Sequence, residues 1–217
     1  MRKPIVAVVG RPNVGKSTLF NRLAGERLAV IDDVPGTTRD RLMAEAEWTG
    51  VIFDIIDTGG IDPSRAVKGA GGKPLSIGSA EFIREIRSQA ETAIQQADVV
   101  LFIVDVESGV TPADEELAQI LRRSQTERSG QPWPPVQLVV KKADSEARRR
   151  QAVDFYGLGM GEPYPVSALH GTGTGDLLDA LVACLPSKGE ETEDESVKVA
   201  IVGKPNVGKS SLLNRLI

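Results

Sequence analysis

Apolar positions in this chain come in short runs that alternate between two periods. Residues 5–9 (Ile-Val-Ala-Val-Val) and 99–105 (Val-Val-Leu-Phe-Ile-Val-Asp) are continuous and rich in β-branched side chains, as strands covered on both faces are. Residues 136–140 read the same way, and 164–166 form a last short strand. Between these runs the period changes to that of an amphipathic helix. Leu19, Phe20 and Leu23 mark one helical face, and Phe82, Ile83, Ile86, Ala90, Ala93, Ile94 and Ala97 mark a longer one. A third helix starts at Thr111-Pro112, with Asp114, Glu115 and Glu116 near its positive end. Its inner face is Leu117, Ile120 and Leu121. Residues 143–156 read as a fourth helix that turns Arg148, Arg149 and Arg150 to solvent. Leu177, Leu178, Leu181, Val182 and Leu185 mark the closing helix.

Two more strands, 42–48 and 51–57, are joined by a Thr49-Gly50 turn, which predicts a hairpin. Strands alternating with helices predict an α/β fold: a mostly parallel six-stranded sheet with helices on both faces and one antiparallel hairpin strand. Ligands of such sheets bind beyond the carboxyl ends of the strands. Residues 10–17, Asp57, Asp105 and Lys141 all stand at or just after strand ends. One rim of the sheet should therefore gather them. Two stretches read as flexible loops, 28–41 with its Pro35-Gly36 turn and 58–79 with Gly69-Ala70-Gly71-Gly72, and a third, 124–135, which ends Pro132-Trp133-Pro134-Pro135, reads as a polar, exposed connector.

Candidate chemistry starts directly after the first strand. Gly10-Arg11-Pro12-Asn13-Val14-Gly15-Lys16-Ser17 fits the phosphate-loop pattern G-x-x-x-x-G-K-[ST], in the strand-loop-helix setting that the pattern requires. Gly10 and Gly15 let the backbone bend until several N–H groups converge on one anion. The following helix aims its positive end at the same point. Lys16 adds a point charge for β- and γ-phosphates, and Ser17, followed by Thr18, offers a hydroxyl to Mg²⁺. The motif recurs: residues 198–202 form an apolar run, and Gly203-Lys204-Pro205-Asn206-Val207-Gly208-Lys209-Ser210 repeats the loop. The helix that follows repeats as well, up to Ile217. One strand and one helix cannot bury a core. The expected layout is therefore a first domain over 1–186, a linker over 187–196, and the truncated start of a second domain over 197–217, in a chain that is a piece of a longer protein.

Composition narrows this picture. The chain has 217 residues, 41% hydrophobic and only 4% aromatic, so its core is aliphatic. No apolar run reaches the ~20 residues of a membrane-spanning helix, and the start leads straight into a strand without a signal-peptide pattern. Cys184 is the single cysteine, which excludes an intrachain disulfide, and it reads as a small core residue. These features point to the cytoplasm. The net charge of −4 argues against a non-specific nucleic-acid binder. Moreover, that surplus sits in the linker, where Glu190, Glu191, Glu193, Asp194 and Glu195 face only Lys188.

The polar groups form an ordered set: Gly10–Ser17, Thr38, Asp57-x-x-Gly60, Lys142-x-Asp144 after a strand, and Ser167-Ala168. This set resembles the translation-factor class of GTPases. Further runs resemble one family of that class, the bacterial tandem-domain Der (EngA) GTPases. They are Pro35-Gly36-Thr37-Thr38-Arg39-Asp40, Asp57-Thr58-Gly59-Gly60-Ile61-Asp62, and Val153-Asp154-Phe155-Tyr156 with Leu158-Gly159 and Gly161-Glu162, together with the repeated loop at Gly203, Gly208, Lys209 and Ser210. The resemblance implies a Ras-like phosphate-loop fold, GTP and GDP as ligands, GTP hydrolysis and a role in assembling the large ribosomal subunit. It also implies a site. Gly10, Asn13, Val14, Gly15, Lys16, Ser17 and Thr18 would hold the phosphates. Ser17 and Thr38 would ligate Mg²⁺, and Asp57 would hold it through water. Lys16, Thr38, Gly60 and Asn13 would serve catalysis. Lys141, Lys142 and a buried Asp144, with Ser167, Ala168 and Leu169, would surround the base. Adenine lacks the donor pair that a buried Asp144 would accept from guanine, so ATP would leave a carboxylate unpaired.

Two positions depart from the pattern. Ile61 stands where many relatives carry a glutamine that orients the attacking water. The Der resemblance implies a K⁺ ion near the phosphates instead, held partly by Asn13. Lys141 stands where an asparagine should tie the base-reading loop to the phosphate loop. A lysine donates but cannot accept. His170, the only histidine, has no partner in sequence that supports a metal or general-base role. Two other functions fit parts of the pattern: a small-molecule kinase, allowed by the phosphate loop, and a non-catalytic guanine-nucleotide sensor, favoured by Ile61 and Lys141. The Lys141 departure predicts that a Lys141→Asn variant binds fluorescent GDP more tightly than the parent chain; equal dissociation constants in a titration would remove it.

Overall fold

The computed structural model describes residues 2–25, 42–57 and 80–186. The stretches 28–41 and 58–79, with Thr38, Gly60 and Ile61, lie outside the described residues, as do the 187–196 linker and the second loop with Gly203, Gly208, Lys209 and Ser210. The chain divides into two units, Met1–Leu185 and Pro186–Ile217, and every element below belongs to the first.

In order, the described residues form β1 (Ile5–Val9), α1 (Lys16–Ala24), β2 (Leu42–Trp48), β3 (Val51–Asp57), α2 (Ala80–Gln96), β4 (Val99–Asp105), α3 (Pro112–Ser124), β5 (Thr126–Arg128), β6 (Gln131–Trp133), β7 (Val136–Lys141), α4 (Glu146–Gln151), β8 (Pro163–Pro165) and α5 (Thr174–Cys184). Six strands make one sheet in the order β2-β3-β1-β4-β7-β8. β2 and β3 are antiparallel, and the pairings β3–β1, β1–β4, β4–β7 and β7–β8 are parallel. β1 to β4 and the helices α1, α2, α3 and α5 fall where the periodicity predicts them.

Helices cover both faces because the central strands are apolar on both. Along β4 every residue is buried. Val100, Phe102 and Val104 pack with Ala90 and Ala93 of α2 and with Leu117 and Leu121 of α3. Val99, Leu101 and Ile103 pack on the opposite face with Leu19 and Phe20 of α1 and with Leu177 and Leu181 of α5. The two-residue period of a strand divides one apolar run between two cores. α3 begins with Pro112 in its first turn and a capping box in which Thr111 and Asp114 satisfy each other's backbone N–H groups. At the start of β1, Asp98 accepts from Ile5 N at 2.8 Å and from Arg2 at 2.8 Å.

Three expectations need correction. The stretch 124–135 is not simply loop: β5 and β6 pair antiparallel. Ser129 and Gly130 between them both have positive φ (52° and 76°), the backbone of a primed two-residue hairpin turn. Arg128 stacks 4.5 Å over the Trp133 ring and fastens the ribbon. The helix expected over 143–156 is α4, N-capped by Ser145, followed by a 3₁₀ turn over Ala152–Leu158. Ala152, Phe155 and Leu158 are its buried residues. They recur every third position, which matches a 3₁₀ turn rather than an α-helix. The last strand is Pro163–Pro165, one residue earlier than expected, and β7 runs on to include Lys141. Among the described residues no helix is long and apolar enough to cross a membrane.

Phe155 is 1% exposed and seats the 3₁₀ turn on the core. Phe155→Ala should therefore cost about 3–5 kcal/mol, read as a lower midpoint in urea denaturation.

Candidate functional site

The phosphate-loop residues connect β1 to α1 and owe their course to two glycines. At Gly10 a Cβ would lie 2.6 Å from the Ile103 carbonyl of β4, so only glycine lets the loop leave the sheet this closely. Gly15 takes the left-handed conformation (φ 89°, ψ 35°) and N-caps α1 without a side-chain cap. A helix N-terminus without a side-chain cap is a setting in which backbone N–H groups can meet an anion. Asn13 is exposed and also left-handed (φ 61°), whereas Val14 is fully buried under the loop. The largely buried Lys16 folds back over the bend, its Nζ donating to Gly10 O at 2.8 Å and Arg11 O at 3.0 Å. Ser17 Oγ donates to Asp57 Oδ2 at 3.0 Å. Thr18 beside it is exposed. Asp57 closes β3 and reaches Ser17 because β1 and β3 run parallel, with Val8 opposite Asp57.

The second group of predicted residues follows β7. Lys142 is left-handed (φ 60°). Ala143 N donates to Val166 O at 3.2 Å, which brings 141–144 against the segment after β8. There Ser167 N donates to Thr172 O at 2.9 Å and Gly171 N to Ser167 O at 2.7 Å, closing a tight loop. The Ser167 hydroxyl donates to Asp144 Oδ1 and accepts from His170 N at 3.2 Å. Ala168 is buried, Leu169 is 75% exposed and His170 is exposed.

Lys141 joins the two groups. Its Nζ donates to Gly15 O at 2.6 Å. The link expected of an asparagine at 141 is therefore made by the lysine, because a long side chain at the end of β7 reaches the N-cap carbonyl of α1. Burial pushes the Lys141 ammonium below its ordinary pKa, while Asp105 acts in the opposite direction. Asp144 also differs from expectation. It is exposed rather than buried, since it stands on the rim loop, and Arg148 approaches its other oxygen at 3.5 Å. Lys142 Nζ sits 2.7 Å from both Asp105 Oδ2 and Glu107 Oε2. Its pKa is raised, chiefly by the hydrogen bond to Asp105 and then by that to Glu107. Glu107 also takes Arg148 at 2.7 Å. Glu107 and Arg148 escape a reading of the sequence, which holds no short-range signal for a contact 41 positions apart.

Of the predicted residues, Gly10, Asn13, Val14, Gly15, Lys16, Ser17, Thr18 and Asp57 thus form one group. Lys141, Lys142, Asp144, Ser167, Ala168 and Leu169 form a second, tied to the first through Gly15 O. A hydroxyl and a carboxylate 3.0 Å apart beside a helix N-terminus are hard oxygen donors suited to Mg²⁺.

Known proteins bear on this geometry. The sequence model of one family, described as 50S ribosome-binding GTPase, matches residues 5–142 and 198–217. The chain belongs to that family. GTPase Der of Lacticaseibacillus paracasei is 50% identical over 99% of this chain, which covers 44% of that protein. GTPase Der of Herpetosiphon aurantiacus is 54% identical over 100% of this chain and 45% of its own length. The chain thus spans less than half of these relatives. Among solved structures, Aquifex aeolicus Era bound to GDP and AlF4⁻ superposes with a TM-score of 0.59 at 27% identity, covering 93% of this chain and 63% of that one. The G domain of Thermotoga maritima FeoB, at 22% identity, shares the fold with a TM-score of 0.56, over 84% of this chain and 99% of its own. The Ras-like α/β fold expected of the family is the one observed.

A lysine whose folded pKa is depressed costs stability while it stays charged, and the cost fades as pH rises through that pKa toward the ordinary value of about 10.4. Relief of that cost in Lys141→Asn should therefore raise the melting temperature near pH 7. The gain over the parent chain should shrink when both are melted near pH 10.

Proposed function

We propose that this chain binds GTP and GDP with Mg²⁺ at the rim and hydrolyses GTP to GDP and phosphate. One observation carries this reading: a phosphate loop and a Lys142-x-Asp144 base loop stand on the same rim, joined by the Lys141–Gly15 hydrogen bond. The spacing suits a nucleotide whose phosphates and base need separate anchors. The amides at the α1 N-terminus and Lys16 gather negative charge on the phosphates. On nucleotide entry the Lys16 ammonium exchanges the Gly10 and Arg11 carbonyls for β- and γ-phosphate oxygens. Ser17 and Thr38 would ligate Mg²⁺ and Asp57 would hold it through water; the ion, when bound, would neutralise charge that builds on the phosphate oxygens.

Guanine is chosen by the second group. Asp144 accepts from the base's N–H donors, and the seated base itself removes the exposed carboxylate from water. Adenine offers no matching pair and would strand that charge. Lys142 lies along the base, fixed by Asp105 and Glu107. The Ser167-Ala168-Leu169 backbone faces the guanine oxygen. Thr38 and the Gly60 N–H contact the γ-phosphate, and losing those contacts on hydrolysis gives a switch. With Ile61 unable to orient water, K⁺ held partly by the exposed Asn13 is the second cation. The catalytic group is then Lys16, Thr38, Gly60 and Asn13.

The names of the relatives support a wider role. As in GTPase Der, this would be the first GTPase domain (1–186), followed by an acidic linker (187–196) and the start of a second domain (197–217). The whole would act in the cytoplasm on the large ribosomal subunit.

Purified chain with Mg²⁺ should turn over radiolabelled GTP in a single-turnover assay. Excess ATP should leave bound GTP in place, and turnover should be faster in KCl than in NaCl. Bound GTP that is never cleaved would support the sensor; displacement by ATP would support a kinase; equal rates in the two salts would remove K⁺.

A further inference from the structure

Arg11 occupies a variable position of the phosphate-loop pattern, yet its side chain reaches out of the loop to another element. Arg11 Nε lies 3.5 Å from Asp114 Oδ1 on α3, and an Arg11 terminal nitrogen donates to Ser108 Oγ in the turn before that helix. The Asp114 side chain is fully buried and that of Arg11 is 19% exposed. Asp114 Oδ2 is taken by Thr111, whose N donates at 3.1 Å and whose Oγ1 donates at 2.7 Å. Neither Arg11 Nε nor Asp114 Oδ1 has a hydrogen-bond partner among the described residues. The guanidinium is therefore the charge that faces the second carboxylate oxygen. Burial pushes the Asp114 carboxyl above its ordinary pKa, against the pull of Thr111 and Arg11.

Capping alone does not call for this arrangement. A neutral asparagine accepts from the Thr111 N–H without a buried charge, and an ion pair taken out of water is weak evidence of stability. What the pair does accomplish is mechanical. Leu117 and Leu121 of α3 are 0% exposed in the core, so Asp114 stands on a rigid base. The Arg11 carbonyl accepts from Lys16 Nζ at 3.0 Å and from Val14 N at 3.4 Å. Fixing the Arg11 side chain therefore fixes the carbonyl around which the loop and its lysine are arranged. The same turn carries Glu107, which grips Lys142 and Arg148 of the base loop. One short segment between β4 and α3 thus braces both halves of the site.

We infer that Arg11 and Asp114 are positioning residues that hold the phosphate loop in its anion-binding shape. The inference rests on the nucleotide reading above. A vicinal phosphate chain needs the whole loop in register, whereas a single phosphate with its base leans more on 141–144 and 167–169. The pair should therefore matter more for GDP than for GMP.

The test is titration of the 217-residue chain with fluorescent GDP in Mg²⁺, with GMP as competitor, beside thermal melting. Asp114→Asn and Arg11→Gln should each weaken GDP binding about tenfold, and the double variant should be no weaker than either, because the two act through one contact. GMP binding should fall much less. Arg11→Lys, which keeps the charge, should recover part of the GDP affinity. Asp114→Asn and Arg11→Gln each leave one buried charge without its partner and should melt below the parent, so the contrast between GDP and GMP, read well below the melting temperature, separates a loop defect from general loosening. Single variants with parental GDP affinity would overturn the inference. So would equal losses for GDP and GMP, since these mark general loosening. A parent chain that takes up no GDP would sink the nucleotide reading and the inference with it. Parental uptake with unchanged variants would sink the inference alone.

Discussion

β1 runs parallel between β3 and β4, with Val8 opposite Asp57 and Val9 opposite Phe102, and the site follows from that pairing. Parallel neighbours put their carboxyl ends on one rim. The turn out of β1 therefore emerges between the ends of the strands that carry Asp57 and Asp105. The turn must also clear the Ile103 carbonyl, and only a residue without Cβ can do so at Gly10. Once the chain is held there, Gly15 in the left-handed region starts α1 at the rim. Without the apolar, β-branched strands and the two helical layers that bury them, none of these backbone positions would persist.

The rim that results concentrates buried charge. Lys16, Asp57, Asp105, Asp114 and Lys141 are all buried. Each loses hydration on folding and recovers it through named partners: carbonyls for Lys16 and Lys141, the Ser17 hydroxyl for Asp57, Lys142 for Asp105, and Thr111 with Arg11 for Asp114. Apolar residues of equal volume would serve stability as well or better. That polar groups stand here, while the central strands are almost wholly aliphatic, is the mark of a surface shaped for a charged ligand. A guanine nucleotide, the ligand proposed for it, has the charge that such a surface suits.

Two long-range contacts restrain the phosphate loop. Lys141 makes by reach what an asparagine would make by a short amide. It also places a second ammonium beside the phosphate loop, at a desolvation cost. Arg11 and Asp114 tie the same loop to α3 from the other side. The phosphate loop is thus restrained at two points: by β7 through Lys141, and by α3 and the turn before it through Arg11.

Much of the architecture was legible along the chain because it depends on local periodicity. The β-branched runs at 5–9 and 99–105, the helical spacing at Leu117, Ile120 and Leu121, and the glycines around Lys16 dictate strand, helix and loop through short-range sterics and burial. The hairpin ribbon within 124–135 and the 3₁₀ turn over Ala152–Leu158 were harder, since their signals are a two-residue Ser-Gly turn and a threefold repeat of only three side chains. What only tertiary structure decided is the pairing of charges. That Lys141 meets Gly15, Lys142 meets Asp105, and Arg11 meets Asp114 depends on which strands lie side by side. Sequence determined which residues this protein brings to one rim; packing decided whom each of them touches, because an electrostatic contact reads distance in space and is indifferent to distance along the chain.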